Sequence, residues 1–167
     1  MSNQSNQVII REAAPEDAEQ ISNLIVEVAE AQLRPEFTDD GWELFLRLIS
    51  RQTQKGLIVD EHFRYWVATR IIDGQEQIIG MLSSKNIFHV FHFFILPGFQ
   101  KVGVGRALWR NFLFHLPEQS ETIITVKSSN YALGFYKKLG FTPQQPRCVK
   151  NGLAYTLMHY FHKVGVR

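Results

Sequence analysis

One short stretch constrains the chain more than any other: residues 94–109 read FILPGFQKVGVGRALW. An apolar run ends at Pro97 and Gly98, glycines follow at Gly103 and Gly105, and a helical pattern then begins. The first N–H groups of a helix lack partners within the helix, the helix dipole adds partial positive charge there, and glycine lets a phosphate approach the backbone. The stretch therefore predicts an anion site.

The residues around the turn exclude two common nucleotide-binding motifs. A dinucleotide-binding turn requires a third glycine or alanine where this chain has Leu108, and it lies in an opening βαβ unit rather than in mid-chain. The phosphate loop of NTPases requires Gly-Lys-Ser/Thr, but Arg106 and Ala107 follow Gly105 here. Both glycines could also serve only to let the helix pack closely against the strand, and the turn alone leaves that alternative open.

Whole-chain composition sets the class of protein. The 167 residues are 45% hydrophobic and 20% charged, which predicts a single globular domain over 1–167, with residues 1–6 flexible. The formal net charge of +2 is too small to favour a nucleic-acid or membrane partner. The one cysteine, Cys148, excludes an internal disulfide, and the polar start has no signal-peptide pattern. We therefore expect a cytoplasmic protein.

Hydrophobic periodicity and turn signals predict the order of elements. Strands are expected at 8–12, 65–72, 76–84, 86–96 and 121–126 and twice within 141–163, and helices at 15–30, after Thr38, at 104–115 and at 130–140. Asp73-Gly74 and Asn151-Gly152 are hairpin signals between neighbouring strands. The order β-α-α-β-β-β-α-β-α-β-β predicts an α/β domain with a mixed sheet.

This order and two motifs resemble the GNAT superfamily of acetyl-CoA-dependent N-acetyltransferases over nearly the whole chain. The pyrophosphate loop of that family has the pattern Gln/Arg-x-x-Gly-x-Gly/Ala, and Gln100, Gly103 and Gly105 occupy its defining positions. SSNYALGFYKKLGF (128–141) is similar to the family's second cofactor motif, an Asn followed by a helix ending in Phe-Tyr-x-x-x-Gly-Phe. The matching residues are Asn130, Tyr136, Gly140 and Phe141. The resemblance implies the acyl-CoA N-acyltransferase fold and acetyl transfer from acetyl-CoA to a primary amine.

The resemblance also implies which residues contact the cofactor. In the family, the strand before the glycine turn splays from its neighbour, and unpaired backbone groups in the opening bond to the pantetheine arm. Here those groups belong to Phe93, Phe94 and Ile95. Asn130 would contact the arm, and Tyr136 would line the same site. The turn residues that would hold the pyrophosphate are Gln100, Lys101, Val102, Gly103, Val104, Gly105 and Arg106.

Tyr136 is the candidate general acid. A phenol with a pKa near ~10 stays protonated at neutral pH and can protonate the departing CoA thiolate. The alternative is a core tyrosine on an amphipathic helix, because Phe135 and Leu139 follow a core pattern.

His89 is the candidate general base. Strand alternation places it on one face with Phe91 and Phe93, and His92 on the opposite face, unless a bulge shifts the register. Counting back from the glycine turn, the resemblance puts His89 where the histone-acetylating branch has a glutamate base. A histidine with a pKa near ~6.5 can accept a proton at neutral pH. The alternatives are a core role for His89 and a proton route through His92, a carboxylate such as Glu30, or water.

The sequence leaves the acceptor amine open among small molecules and peptides. The six histidines show no metal-ligand spacing, so no metal is expected, and the resemblance allows a homodimer. The alternative to an enzyme is a non-catalytic acyl-CoA-binding or regulatory module on the same fold. Such a module would not need Tyr136, so the presence of Tyr136 favours the enzyme.

Overall fold

The computed structural model describes residues 6–118 and 121–164 and has a mixed eight-stranded sheet at its centre. The strands are β1 (Ile9–Glu12), β2 (Phe63–Ile72), β3 (Gln75–Lys85), β4 (His89–Ile95), β5 (Glu121–Ser128), β6 (Thr142–Pro143), β7 (Cys148–Lys150) and β8 (Leu153–Lys163). They lie in the order β1-β2-β3-β4-β5-β8-β6, with β7 also paired to β8. Only β4 and β5 run parallel among these pairs. Residues 1–5, most of the segment predicted to be flexible, lie outside the described residues.

Helices cover both faces of the sheet. They are α1 (Ala18–Gln32), α2 (Asp39–Leu48), α3 (Arg51–Ile58), α4 (Val104–Phe114) and α5 (Leu133–Leu139). One core lies under α4 and α5 and includes Leu108 and Phe112, and the other lies under α1 to α3 and includes Ile21 and Ile25. We call them the α4–α5 core and the α1–α3 core. Because β3 is covered on both faces, it is buried continuously over residues 78–84.

The mixed α/β class and the order of the long elements are confirmed, with two differences. One helix is predicted after Thr38, but the structure has two, each with its own cap. The Thr38 hydroxyl accepts from the N–H of Gly41 at 3.0 Å, and the Ser50 hydroxyl accepts from the N–H of Thr53 at 3.3 Å. Since α3 is short and polar, periodicity does not mark it. The closing segment also contains a third, two-residue strand, β6.

The β7–β8 hairpin docks its tip on the start of α2. The turn residues Asn151 and Gly152 have φ values of 53° and 73°, so the predicted hairpin turn is confirmed. The N–H of Thr38 donates to the Gly152 carbonyl at 3.4 Å. A Cβ on Gly41 would lie 2.2 Å from that same oxygen. A side chain at Gly41 would therefore push the hairpin away from the helix.

Candidate active site

β4 leaves its parallel pairing with β5 partway along its length. It pairs with β3 as far as Ile95, but with β5 only at His89 and Val90. From residue 91 onward, the side of the β4 backbone that faces β5 borders an opening in the sheet. Phe93 and Phe94, like Ile95, lie in this unpaired stretch, where the resemblance puts the contacts of the cofactor arm.

The glycine turn connects the end of β4 to α4. Lys101 and Gly103 have φ values of 62° and 93°, in the left-handed region. A Cβ on Gly103 would meet no atom within 4 Å, so the backbone conformation, not crowding, calls for glycine there. Gly103 is the N-cap residue of α4, whose first amides lack partners within the helix. Lys101, Val102 and Arg106 are exposed around this turn, whereas Val104 is buried.

Gly105 meets a different structural requirement. A Cβ at this position would lie 3.1 Å from Cζ of Phe135 on α5 and 3.7 Å from Cγ1 of Ile95 on β4. Contact at 3.1 Å is too close for the ring to stay where it is. Gly105 therefore lets α4 pack against α5 and β4, whatever the turn binds.

Gln100 is the centre of a hydrogen-bond network beside the opening. Its Nε2 donates to the Ile95 carbonyl at 3.0 Å and lies 3.5 Å from Oε1 of Gln32 on α1. Its Oε1 accepts from the hydroxyl of Tyr131 at 2.9 Å. The network links α1, the end of β4 and the segment before α5. The pyrophosphate-loop motif marks Gln100, but Tyr131 is not a defining position of either cofactor motif.

Side chains from elsewhere in the chain hold the segment before α5 through its backbone. The Glu36 carboxylate accepts from the N–H of Asn130 at 2.7 Å and from the N–H of Tyr131 at 3.4 Å. The Ser129 hydroxyl accepts from the N–H of Ala132 at 3.1 Å. The side chain of Asn130 is exposed. Sequence reasoning missed Ser129 and Glu36; the preference of serine for capping a helical turn could have identified the first.

Tyr136 lies in the α4–α5 core with 5% of its surface exposed. Its ring centroid is 5.3 Å from that of Phe141 and 6.2 Å from that of Phe93 on β4. Burial raises the pKa of the phenol, so the group stays protonated through the neutral range. Its hydroxyl makes no hydrogen bond to the chain over residues 6–118 and 121–164.

A bulge in β4 places both histidines of the strand on one face. The pairing of β4 with β3 skips Phe91, which is the extra residue. Val90 therefore joins Phe93 in the α4–α5 core, whereas His89 shares the α1–α3 side with His92. The predicted alternation, with His89 beside Phe93 and His92 on the opposite face, is wrong, because it assumed an unbroken register.

The two histidines differ in their surroundings. Nδ1 of His89 lies 2.7 Å from Oγ1 of Thr125. Burial lowers the pKa of His89, and the charges of Lys127 and Lys85 lower it further. Nδ1 of His92 is buried without a partner in the described chain, and burial lowers the pKa of this residue to about 4. Both rings are therefore neutral at neutral pH, and His92 has the lower affinity for a proton.

Two features are absent from the described residues. They contain no group of three or more His, Cys, Asp or Glu side chains placed to hold a metal ion. No helix among them is both long enough and apolar enough to cross a membrane. The cytoplasmic location and the homodimer stay predictions.

Comparison with known proteins gives the family. A model of the acetyltransferase (GNAT) domain matches residues 33–161. The chain belongs to the GNAT acetyltransferase family. This membership makes it an acyltransferase, and it confirms the resemblance found in the sequence. No curated protein sequence matches this GNAT chain.

Solved structures share the fold of this GNAT chain. A GCN5-related N-acetyltransferase from Rhodopseudomonas palustris has a TM-score of 0.75 at 21% identity, over 96% of this chain and 98% of that one. The PaiA N-acetyltransferase of Thermoplasma acidophilum, solved with coenzyme A, has a TM-score of 0.73 at 18% identity, over 95% and 99%. NAA60 of Arabidopsis thaliana, solved with acetyl-CoA, has a TM-score of 0.61 at 16% identity, over 93% and 98%. The GNAT-type fold is thus confirmed.

Proposed function

We propose that this GNAT chain moves the acetyl group of acetyl-CoA directly to a primary amine of a small molecule or peptide. One observation carries the proposal: the opening between β4 and β5 leads into the glycine turn and the first turn of α4. Unpaired strand backbone and then amides with partial positive charge follow one another there, which suits an elongated donor with phosphates at one end. Relatives solved with coenzyme A or acetyl-CoA support the same donor.

The residues present fit acetyl-CoA. The open space beside Gly103 leaves room for a phosphate, and the exposed Lys101 and Arg106 add positive charge beside the amides of residues 101–106. The backbone of residues 93–95 would bond to the pantetheine arm, and Asn130 would contact the same arm. When bound, acetyl-CoA supplies the thioester carbonyl that an amine can attack.

Tyr136 would act as the general acid. As the new C–N bond forms and the C–S bond breaks, Tyr136 would give its phenolic proton to the sulfur. Its raised pKa keeps that proton available, and its hydroxyl is not engaged in a hydrogen bond within the described chain. A backbone N–H of β4, near Phe94 or Ile95, would polarise the carbonyl.

His89 would act as the general base. A primary ammonium with a pKa near ~10.4 is almost fully protonated at neutral pH, so some group must take its proton. His89 and Tyr136 lie on opposite faces of the sheet, and His89 lies two residues before the point where β4 leaves β5. In the tautomer whose Nδ1–H donates to Thr125, Nε2 keeps its lone pair for the amine. A pKa of about 4 makes His92 the weaker base, and Glu30 or water is the other route.

Release of free thiol from acetyl-CoA in the presence of a panel of primary amines tests the proposal. An enzyme releases thiol in an amine-dependent way and produces an acetylated amine that mass spectrometry detects. A non-catalytic acyl-CoA-binding module would be stabilised by CoA against thermal unfolding but would release no thiol with any amine. A chain that is neither stabilised nor active would refute both.

A further inference from the structure

A row of side chains crosses the sheet at His89. Lys85 of β3 lies opposite His89, His89 lies opposite Thr125 of β5, and Thr125 lies opposite His159 of β8. Lys127 follows two residues after Thr125 and therefore lies on the same face. We call this face the acceptor face. Ile124 and Val126, which alternate with these residues along β5, point the other way and are buried in the α4–α5 core.

The charges near His89 on the acceptor face are mainly positive. Lys127 is exposed, its Nζ lies 4.9 Å from the ring centroid of Tyr155, and it has no carboxylate within 4 Å in the described chain. Lys85 lies opposite His89 on β3, away from the opening, with its Nζ 5.7 Å from the ring centroid of Phe63. The Glu36 carboxylate, from the segment between α1 and α2, already accepts from two backbone N–H groups. Lys127 is thus the cation that lies beside His89 on the side of the opening, and it has no carboxylate partner in the described chain.

We propose that the acceptor is a small primary amine that also carries an anionic group, a carboxylate or a phosphate, which Lys127 binds while the amine reaches His89. This inference rests on the proposed acetyltransferase function and deepens it. Lys127 lies two residues along β5 from Thr125 and one strand spacing away from β4, so its Cα is roughly 8 Å from that of His89, a span that suits an amine and an anion separated by a short carbon chain. A polyamine or an aminoglycoside would bring like charge against Lys127, which disfavours binding.

The test measures kcat/KM for short amines that differ in the charge of their second group. β-Alanine and O-phosphoethanolamine carry an anion, β-alaninamide carries a neutral amide, and diaminopropane carries a second cation. We expect the anionic acceptors to exceed the amide by about fivefold or more, the factor for two unit charges ~4 Å apart in water. Lys127→Gln should remove this preference and Lys127→Arg should keep it.

A matched control comes from the same face of the sheet. Lys163 lies four positions along β8 from His159 and is paired with Glu121 at 3.4 Å, so Lys163→Gln should leave the preference unchanged. The ranking of β-alanine against O-phosphoethanolamine tells a carboxylate from a phosphate.

Two sets of results overturn the inference. A preference for diaminopropane or the amide, or a preference for anions that survives Lys127→Gln, overturns it and leaves acetyl transfer intact. The inference is equally overturned if none of these acceptors reacts while another amine of the wider panel does. Absence of thiol release with every amine is instead the failure of the proposed function, and the inference falls with it.

Discussion

The substitution Tyr136→Phe separates proton donation from packing. Tyr136 is 5% exposed, and its ring contacts with Phe93 and Phe141 do not involve the hydroxyl. Because that hydroxyl has no hydrogen-bond partner in the described chain, its removal breaks no bond. The ring stays packed against Phe93 and Phe141 in both forms, so the variant should match the wild type in urea unfolding.

The rate of acetyl transfer, in contrast to the stability, should fall in Tyr136→Phe. Loss of a positioned general acid typically lowers the rate by about 10²–10⁴-fold, and we expect at least roughly 10²-fold for Tyr136→Phe. At ~1.36 kcal/mol for each factor of ten, the lower bound is about 2.7 kcal/mol of transition-state stabilisation. The assay is single-turnover thiol release from enzyme preloaded with acetyl-CoA, which isolates chemistry from product release. The affinity for CoA should change little.

The dependence on pH adds a second readout for Tyr136. Burial raises its pKa above the ordinary ~10, so the wild-type rate should not fall with loss of this proton below roughly pH 10. A raised pKa in the folded state favours folding fully below the unfolded-state value, and this contribution is lost as the pH rises toward the folded-state value. Wild-type stability should therefore fall above roughly pH 10, and Tyr136→Phe should lose less.

Tyr160 provides the matched control for Tyr136→Phe. Its ring lies in the same core, 5.2 Å from Trp109 and 5.4 Å from Phe141. Tyr160→Phe should keep the wild-type single-turnover rate. A wild-type rate in Tyr136→Phe, or equal losses in both variants, would refute the assignment of Tyr136 as the acid.

Three further predictions concern the base, the turn and the first helix. His89→Gln should lower kcat/KM and remove an acidic limb with a midpoint below ~6.5, whereas His92→Gln should keep the limb; the reverse result makes His92 the base. Gly103→Ala should cost about 1–2 kcal/mol of unfolding free energy, because φ is 93° there; unchanged urea unfolding would contradict this. Arg11 lowers the pKa of Asp17, so this pair stabilises the fold above roughly pH 4 and the contribution is lost as the pH falls further. Asp17→Asn should therefore lose about 1 kcal/mol at neutral pH and flatten the acid slope of stability, and an unaltered slope would contradict this.

The long elements were predictable because local chemistry determines them. The stripe of Leu108 and Phe112 on α4 needs only the helical period to be visible. The two-residue hairpin turns require left-handed backbone, and the Asp-Gly and Asn-Gly pairs provide it, with φ of 52° and 78° at Asp73 and Gly74. The glycine turn is visible for the same reason, since Gly103 adopts a positive φ.

The remainder depends on contacts between distant parts of the chain. The bulge at Phe91 lies in a strand that is apolar on both faces, so alternation cannot reveal one extra residue, and the side of His89 was predicted incorrectly. The requirement for Gly105 depends on the position of Phe135, 30 residues further along the chain. The hydrogen bond from the N–H of Asn130 to the Glu36 carboxylate joins residues far apart in sequence, and no local pattern encodes it.

The open side of β4 bears on how the protein behaves in concentrated solution. It is a strand edge in the middle of a sheet, and residues 90–96, VFHFFIL, are apolar apart from His92, contain no proline and carry no charge at neutral pH. Exposed edges of this composition template pairing between molecules, and proteins normally cover them. Gln100 donates to the Ile95 carbonyl, and the Tyr131 hydroxyl donates to Gln100. Residues 91–94, however, are not paired with β5. Acetyl-CoA bonded along β4 would mask the same edge. We therefore expect the protein to aggregate fastest in the absence of acetyl-CoA.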